Sequence, residues 1–180
     1  MNLERIYSMK RQNAFTLAEV LITLGIIGVV AAMTMPSLLN ATQGKQYVTA
    51  YKRALATMSQ AGAMNYALED ADFSTEAAYD ILKKRMNVVK DDSTNKKLYF
   101  NDGTSIVLNG VTGCKDPTTL GDYTTGVAAC KVTLDVNGDK KPNKAGKDQF
   151  TVLFTRQGVM PADASGLSIV QKDKLLDENQ

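Results

Sequence analysis

Four oxygen-bearing side chains in the last third of the chain have the types and the spacing that could bind a hard cation. They are Asp135, Asn137, Asp139 and Asp148. Calcium takes about 6–8 oxygen ligands, so oxygen-bearing side chains at alternate positions suit it. The segment is not an EF-hand loop, because Gly146 stands at the twelfth position from Asp135, where a bidentate Glu is needed. The alternative is a plain turn built from Asn-Gly and Pro-Asn, and we favour it because nearby lysines repel a cation.

The sequence offers few other residues that could take part in catalysis. The sequence contains no histidine and no tryptophan. Histidine is the side chain most used for acid–base work near neutral pH, and it is also the commonest metal ligand. The Asp and Glu residues show no spacing that suggests a catalytic pair, and no Gly-rich phosphate-binding loop is present. The composition therefore argues against an enzyme.

An apolar run at the N-terminal end contains one acid. From Phe15 to Leu39 the residues are mostly apolar, and Glu19 is the only ionisable side chain between Arg11 and Lys45. A membrane-spanning helix needs about 20 such residues. Basic residues precede the run and should stay in the cytoplasm, which predicts that the chain after Leu39 is exported.

The length of the run and its acid distinguish it from an ordinary signal peptide. A signal peptide has about 7–15 apolar residues and then a small-residue cleavage site, whereas Met33 makes the only candidate site here a poor one. A carboxylate near the middle of a spanning helix costs about 2.5–3.5 kcal/mol, and less near an end. Glu19 is therefore expected to have a partner.

The residues around the acid carry a family resemblance. The segment from Arg11 to Leu21, RQNAFTLAEVL, resembles the processing site of type IV prepilins and of the pseudopilins of type II secretion. In that family a prepilin peptidase cuts before the Phe and methylates the new amine. The resemblance implies a cut between Ala14 and Phe15, with Glu19 as the fifth residue of the mature chain. Ala14 stands where the family usually has Gly.

The same resemblance implies a domain organisation and a set of partners. Residues 1–14 would be a cleaved leader, or a shorter leader if translation begins at Met9. Residues 15–39 would be the transmembrane and filament-core helix, and residues 40–180 the periplasmic or extracellular head. The expected partners are the prepilin peptidase, further copies of the chain, related pilin subunits and an inner-membrane assembly platform. No specific nucleic-acid partner is predicted, since the formal net charge is only +2.

Cleavage would give Glu19 a partner. The new amine at Phe15 and the carboxylate four residues on could neutralise each other within a chain or between neighbours, which offsets much of the burial cost. In the family, the acid meets the amine of an adjacent subunit and sets the axial register. The alternative is an acid that snorkels to the lipid headgroups.

The helix is predicted to continue beyond the membrane. Apolar residues recur at helical spacing in the stripe Val48, Tyr51, Leu55, Met58 and Gly62, which predicts an amphipathic half that covers a head. Pro36 is expected to kink or open the helix, and it matches the Pro that bends the family's helix. One side of the apolar part carries three small residues, Gly25, Gly28 and Ala32. They would let neighbouring helices approach closely. The alternative is a lone membrane anchor with ordinary small residues.

A small antiparallel sheet is predicted for the head. We expect a helix over Thr75 to Val89, capped by Ser74 or Thr75, and then five strands. Asn101-Asp102-Gly103 indicates a hairpin turn. The tail after Gln171 is expected to be loose. The fold class is therefore α+β and pilin-like, with a long N-terminal helix on a small sheet; the strand segments are Lys97–Phe100, Thr104–Leu108, Cys130–Val136, Gln149–Thr155 and Leu167–Val170.

Cys114 and Cys130 are the only cysteines. Their spacing fits neither a CxxC redox motif nor a zinc site, and export would place them in an oxidising compartment. We expect one disulfide, with free thiols as the alternative.

Two functions of different classes follow. The first is a structural filament subunit that polymerises through its N-terminal helix and presents its head outward. The second is a membrane-anchored periplasmic binding module or enzyme that never polymerises, which predicts an uncleaved helix and a ligand pocket. We favour the filament subunit, in the inner membrane first and then at the cell surface, with no cofactor other than the calcium considered above.

Overall fold

One helix, α1, occupies Leu17–Glu69 and covers most of the apolar run and all of the amphipathic stripe. The computed structural model describes residues 15–116, 130–156 and 158–177, with side chains placed except at 40 and from 172 onward. The chain divides into two compact units, Met1–Thr42 and Gln43–Gln180, and α1 contributes to both. The predicted leader, residues 1–14, lies outside the described residues.

The threonines in the apolar part of α1 satisfy their hydroxyls locally. Thr23 donates from Oγ1 to the Glu19 carbonyl at 2.9 Å, and Thr34 donates to the Val30 carbonyl at 3.0 Å. This bonding one turn back leaves no hydroxyl to be solvated in an apolar environment. Pro36 lies inside α1, and the chain continues as an α-helix through it, without an opening.

The second half of α1 supplies one wall of the core of the Gln43–Gln180 unit. Tyr51, Leu55 and Met58 are buried, as the stripe predicts. The ring of Tyr51 stacks on that of Phe150 with centroids 4.4 Å apart, and Phe73 meets Phe154 edge-on at 5.0 Å. Aromatic pairs at these separations add stability beyond the area they bury.

Six antiparallel strands form one sheet in sequence order from β1 to β6. The predicted hairpin is present, since Phe100 N donates to the Thr104 carbonyl at 2.9 Å and Gly103 has φ +89°. Gly at this position avoids the strain that a side chain would meet. The strands are β1 (Val88–Asp92), β2 (Lys97–Phe100), β3 (Ser105–Val107), β4 (Lys131–Asp135), β5 (Gln149–Phe154) and β6 (Val159–Pro161).

The predicted helix over Thr75 to Val89 is too long at both ends. Helix α2 spans Ala78–Arg85, and the β-branched pair Val88-Val89 belongs to β1 instead. β-Branched side chains fit a pleated strand better than a helix. Ser74 and Thr75 do not cap α2, whose N-cap residue is Ala77 with no side-chain hydrogen bond. They bond instead to Asp72 in a tight turn.

The predicted strand at Leu167–Val170 is wrong. These residues lie in helix α3, Ala164–Asp177, which also contradicts the loose tail expected after Gln171. The Asp163 carboxylate explains the difference, because its Oδ1 accepts a hydrogen bond from Gly166 N and so caps the helix. A short apolar run does not distinguish a strand from a buried helix by its period alone. The sheet is completed by β6, which the sequence reading missed.

The α+β prediction is confirmed. Within the Gln43–Gln180 unit, the amphipathic half of α1 lies on a small antiparallel sheet, with α2 supplying further buried side chains. This is the layout expected of a pilin-like chain.

Candidate functional site

The start of α1 is a reciprocal cap. Oε2 of Glu19 accepts hydrogen bonds from Thr16 N at 2.8 Å and from Thr16 Oγ1 at 2.9 Å. In return, Thr16 Oγ1 accepts from Glu19 N at 3.2 Å. The pattern is a capping box, in which a Thr and a Glu three residues apart satisfy donors that a helix start leaves open. In a single chain, therefore, the acid already has a partner.

Sequence reasoning missed the role of Thr16. The signal was present, because Thr16-Leu17-Ala18-Glu19 fits the Thr-x-x-Glu pattern directly before an apolar helix. The sequence predicts a partner that balances the charge of the acid, whereas the donors in the single chain are neutral and lie within one turn.

Phe15 precedes the cap and is 86% exposed. Together with Glu19, Val20 and Thr23 it lines a shallow open depression. Ala14, on the other side of the predicted cleavage bond, lies outside the described residues.

The apolar part of α1 presents its side chains outward within its own unit. It is long enough and apolar enough to cross a membrane, by length and composition, and its most apolar window is not buried. Exposed apolar side chains occur on every side of the helix, including Leu21, Ile22, Leu24, Ile26, Ile27, Val29 and Val30. A helix that is apolar all round requires an apolar environment.

The segment predicted as a possible calcium site is organised around Asp148. This carboxylate is fully buried. It accepts hydrogen bonds from Asn143 N at 2.7 Å, Lys144 N at 2.6 Å and Asn137 Nδ2 at 3.1 Å. The Lys141–Pro142 peptide bond in this turn is cis. The structure therefore uses Asp148 to hold a turn together.

Asp135 lies beside this turn and has its own internal donors. Its carboxylate accepts from Asn137 N at 3.1 Å and from Gln149 Nε2 at 3.1 Å. The Asn143 amide, oriented with its nitrogen inward, donates to Asp135 Oδ2 at 3.2 Å and to the Lys140 carbonyl at 2.8 Å. Burial raises the pKa of Asp135 above its ordinary value.

The fourth predicted ligand points elsewhere. Asp139 bonds to Lys97 Nζ at 2.6 Å and to the Tyr99 hydroxyl at 2.8 Å, both on β2. Among the described residues, no three His, Cys, Asp or Glu side chains are grouped as metal ligands. Of the four predicted ligands, Asp135, Asn137 and Asp148 are linked by hydrogen bonds within the turn, whereas Asp139 bonds to β2.

The two cysteines form the predicted disulfide. Cys114 and Cys130 are bonded, with Cα atoms 5.8 Å apart, and both are fully buried. Cys114 N also donates to the Phe73 carbonyl at 3.0 Å, so the bridge is tied to the segment between α1 and α2.

Residues 9–35 match the family model described as the prokaryotic N-terminal methylation motif. None of the curated proteins and none of the solved structures compared with the chain gives a match. The motif is the N-terminal signature of type IV pilins and pseudopilins, so the resemblance noted in the sequence is confirmed for this segment. The chain has the features of a precursor of that type.

Proposed function

We propose that this chain is the precursor of a structural subunit of a type IV pilus-like filament, as a type II secretion pseudopilin or a type IV pilin. Prepilin peptidase cuts it between Ala14 and Phe15, and the mature chain polymerises through α1. One coincidence supports the proposal. The methylation motif of residues 9–35 overlaps the first part of α1, which begins at Leu17, and from there to Leu39 the helix is apolar on all sides and contains a single acid, Glu19.

The exposed apolar side chains of α1 account for both stages of such a life cycle. Contiguous apolar surface of this extent is unfavourable in water and marks a membrane or protein contact. In the precursor, the bilayer supplies the apolar environment. In the filament, the α1 helices of neighbouring copies supply it.

Glu19 would change partners between these stages. In a single chain, its carboxylate takes hydrogen bonds from Thr16. Those donors are neutral and leave the negative charge uncompensated, whereas a methylated amine at Phe15 of a neighbour would balance it. An ammonium adds a Coulomb attraction that neutral donors lack, so pairing in the filament core favours assembly.

Location and partners follow from the same features. The precursor is a single-pass protein of the inner membrane, with its head in the periplasm, and the assembled filament lies in the periplasm or at the cell surface. The disulfide suits that oxidising side of the membrane. The proposed partners are the prepilin peptidase, further pilin subunits and the assembly platform; the role is structural and not enzymatic.

The N-terminus of the mature protein tests the processing step. Intact mass and N-terminal sequencing of protein from membranes that contain the peptidase should find N-methylated Phe15. Protein that keeps Met1 or Met9 in such membranes, as solitary molecules, would contradict the proposal and favour a membrane-anchored module that never polymerises.

Substitution of the acid tests the assembly step. In the Glu19→Ala variant, we expect processing to persist while the yield of sheared filaments falls. Glu19→Gln is the matched control, because it can still accept from Thr16 but carries no charge. If charge pairing drives assembly, both variants should lose filament yield to the same extent. A normal filament yield from Glu19→Gln would show that assembly does not depend on charge pairing.

A further inference from the structure

A groove on the Gln43–Gln180 unit runs beside the second half of α1. Its volume is about 560 Å³, and α1 lines one side of it with Arg53, Thr57, Gln60 and Met64. These positions are four, three and four residues apart, so they form one stripe along the helix. The link from α2 to β1 and the turn from β2 to β3 line the other side.

Arg53 lies in this groove and forms no ion pair within the part of the chain that the structure describes. Three arginines occur among the described residues, and Arg85 and Arg156 pair with Glu69 and Asp72. Within the same part of the chain, the exposed Arg53 guanidinium forms no ion pair, and the Asp102 carboxylate that lines the same groove bonds to Thr104 instead. A guanidinium offers five donors in a planar fork that matches a carboxylate. Arg53 is therefore suited to an acid from outside the chain.

Asp70 is the complementary group. It follows the last residue of α1 with φ +54°, and its N donates to the Tyr66 carbonyl at 2.9 Å. The C-terminal end of a helix carries a partial negative charge, so an acid there is unfavourable unless a cation is close. The nearby cations Lys84 and Arg85 pair with Glu69, and across the described residues Asp70 has no ion pair.

Arg53 and Asp70 cannot meet within one chain. They are 17 positions apart on and just beyond a continuous helix, which at 1.5 Å per residue separates them by about 25 Å. In two parallel copies displaced by about 25 Å along α1, Asp70 of one copy would be level with Arg53 of the other. Leu68, two residues before Asp70 and 66% exposed, is the apolar side chain that such a contact would bury.

We propose that the Arg53 end of this groove receives the Asp70 end of α1 from a second copy of the chain, in a head-to-tail contact. The occupant is a second copy because the unpaired cation and the unpaired anion are presented by the same molecule at separated levels. A contact between different patches of identical chains repeats without closing, which builds a filament. The inference deepens the proposed function and rests on it.

Charge reversal in the full-length protein tests the contact. Arg53→Glu and Asp70→Arg, each alone, should reduce the yield of sheared filaments about tenfold, and the double variant should recover most of it. Lys45→Glu and Asp80→Lys are matched controls, because they make similar charge changes at exposed positions of α1 and α2. Both should assemble normally. Processing at Phe15 and formation of the Cys114–Cys130 disulfide should be unchanged throughout.

The outcomes separate the contact from the filament function. If the wild type assembles but the double variant is no better than the worse single variant, the contact is wrong and the filament function stands. The contact is also wrong if the two controls lose as much yield as the single reversals. A wild type that is processed but never assembles overturns both proposals.

Discussion

Glu19 and Asp148 are both carboxylates held by backbone and side-chain donors, yet they lie in opposite surroundings. Glu19 stands at the exposed start of an apolar helix, and its donors belong to one residue, Thr16. Asp148 is fully buried, and its donors belong to three residues, Asn137, Asn143 and Lys144.

The difference shows which acid can exchange its partners. To release Asp148, the turn would have to expose three donors and a buried charge at once, and each donor left without an acceptor carries a penalty of about 1–3 kcal/mol. To release Glu19, only the first turn of α1 has to fray. A capping box typically contributes about 1 kcal/mol. Asp148 is committed to one fold, whereas Glu19 can pass to another partner at small cost.

The largest expected effect is the loss of Asp148. Asp148→Ala leaves three partly buried donors without their acceptor, so the free energy of unfolding of the head should fall by about 3–5 kcal/mol. Thermal unfolding of the full-length protein in detergent, followed by near-ultraviolet circular dichroism, measures this change. Processing at Phe15 should not change.

Two variants control this prediction. Asp148→Asn keeps one acceptor oxygen and should fall between the wild type and Asp148→Ala. Asp139→Ala removes an exposed carboxylate from the same turn and should have a far smaller effect. If Asp139→Ala were as destabilising as Asp148→Ala, the turn would not depend on its buried acid. Addition of calcium or a chelator should leave the unfolding temperature of the wild type unchanged.

The second effect concerns the disulfide. Replacing Cys114 and Cys130 together by serine removes the constraint on a loop of about 15 residues, which lowers the free energy of unfolding by about 3 kcal/mol in the chain-entropy model. The same unfolding measurement on the reduced wild type should give a similar loss. A double variant as stable as the oxidised wild type would contradict this estimate. Processing again should not change, since the bridge lies in the other compact unit from Phe15.

The sequence predicted the parts of the fold that follow from a periodic pattern. Tyr51, Leu55 and Met58 recur at helical spacing, and the structure buries all three. The hairpin at Asn101-Asp102-Gly103 also follows from local residue types. The prediction of a strand at Leu167–Val170 fails because the helix there depends on one cap, the Asp163 carboxylate, and not on a long periodic pattern.

The candidate site was predictable for a similar reason, and only in part. Glu19 was conspicuous because it is the one acid in an apolar run, and the cysteine pair had no other partner to choose. The bonding of Asp148 was not predictable, because its donors are backbone amides whose positions depend on the folded turn. Residue types show which side chains can accept hydrogen bonds, whereas tertiary structure decides which donors reach them.

Two exposed acids give a smaller effect, which depends on pH. The hydrogen bond from Lys83, followed by that from Tyr79, lowers the pKa of Asp91, and Lys97 and Tyr99 lower the pKa of Asp139 in the same way. The stability that these acids contribute is complete above their unfolded pKa of about 3.9, and it is lost as the pH falls through the lower folded-state pKa. The Asp91→Asn, Asp139→Asn double variant should therefore lose less stability than the wild type on acidification to about pH 2. An identical pH profile for the two proteins would contradict this assignment, and high salt should weaken the effect.

The substitution Thr16→Ala should have a small effect on the start of α1 and none on the head, and it is the sharpest test of the comparison between Glu19 and Asp148. The substitution removes the hydroxyl that donates to Glu19 and accepts from its amide, but it keeps the backbone amide of residue 16 as a donor. The start of α1 should become less stable by about 1 kcal/mol, which hydrogen exchange of the amides near Glu19 would detect as faster exchange. Thermal unfolding of the head should not change. If the head also loses stability, or if exchange at the start of α1 stays as slow as in the wild type, the cap does not hold Glu19 in the single chain, and the contrast with Asp148 would fail.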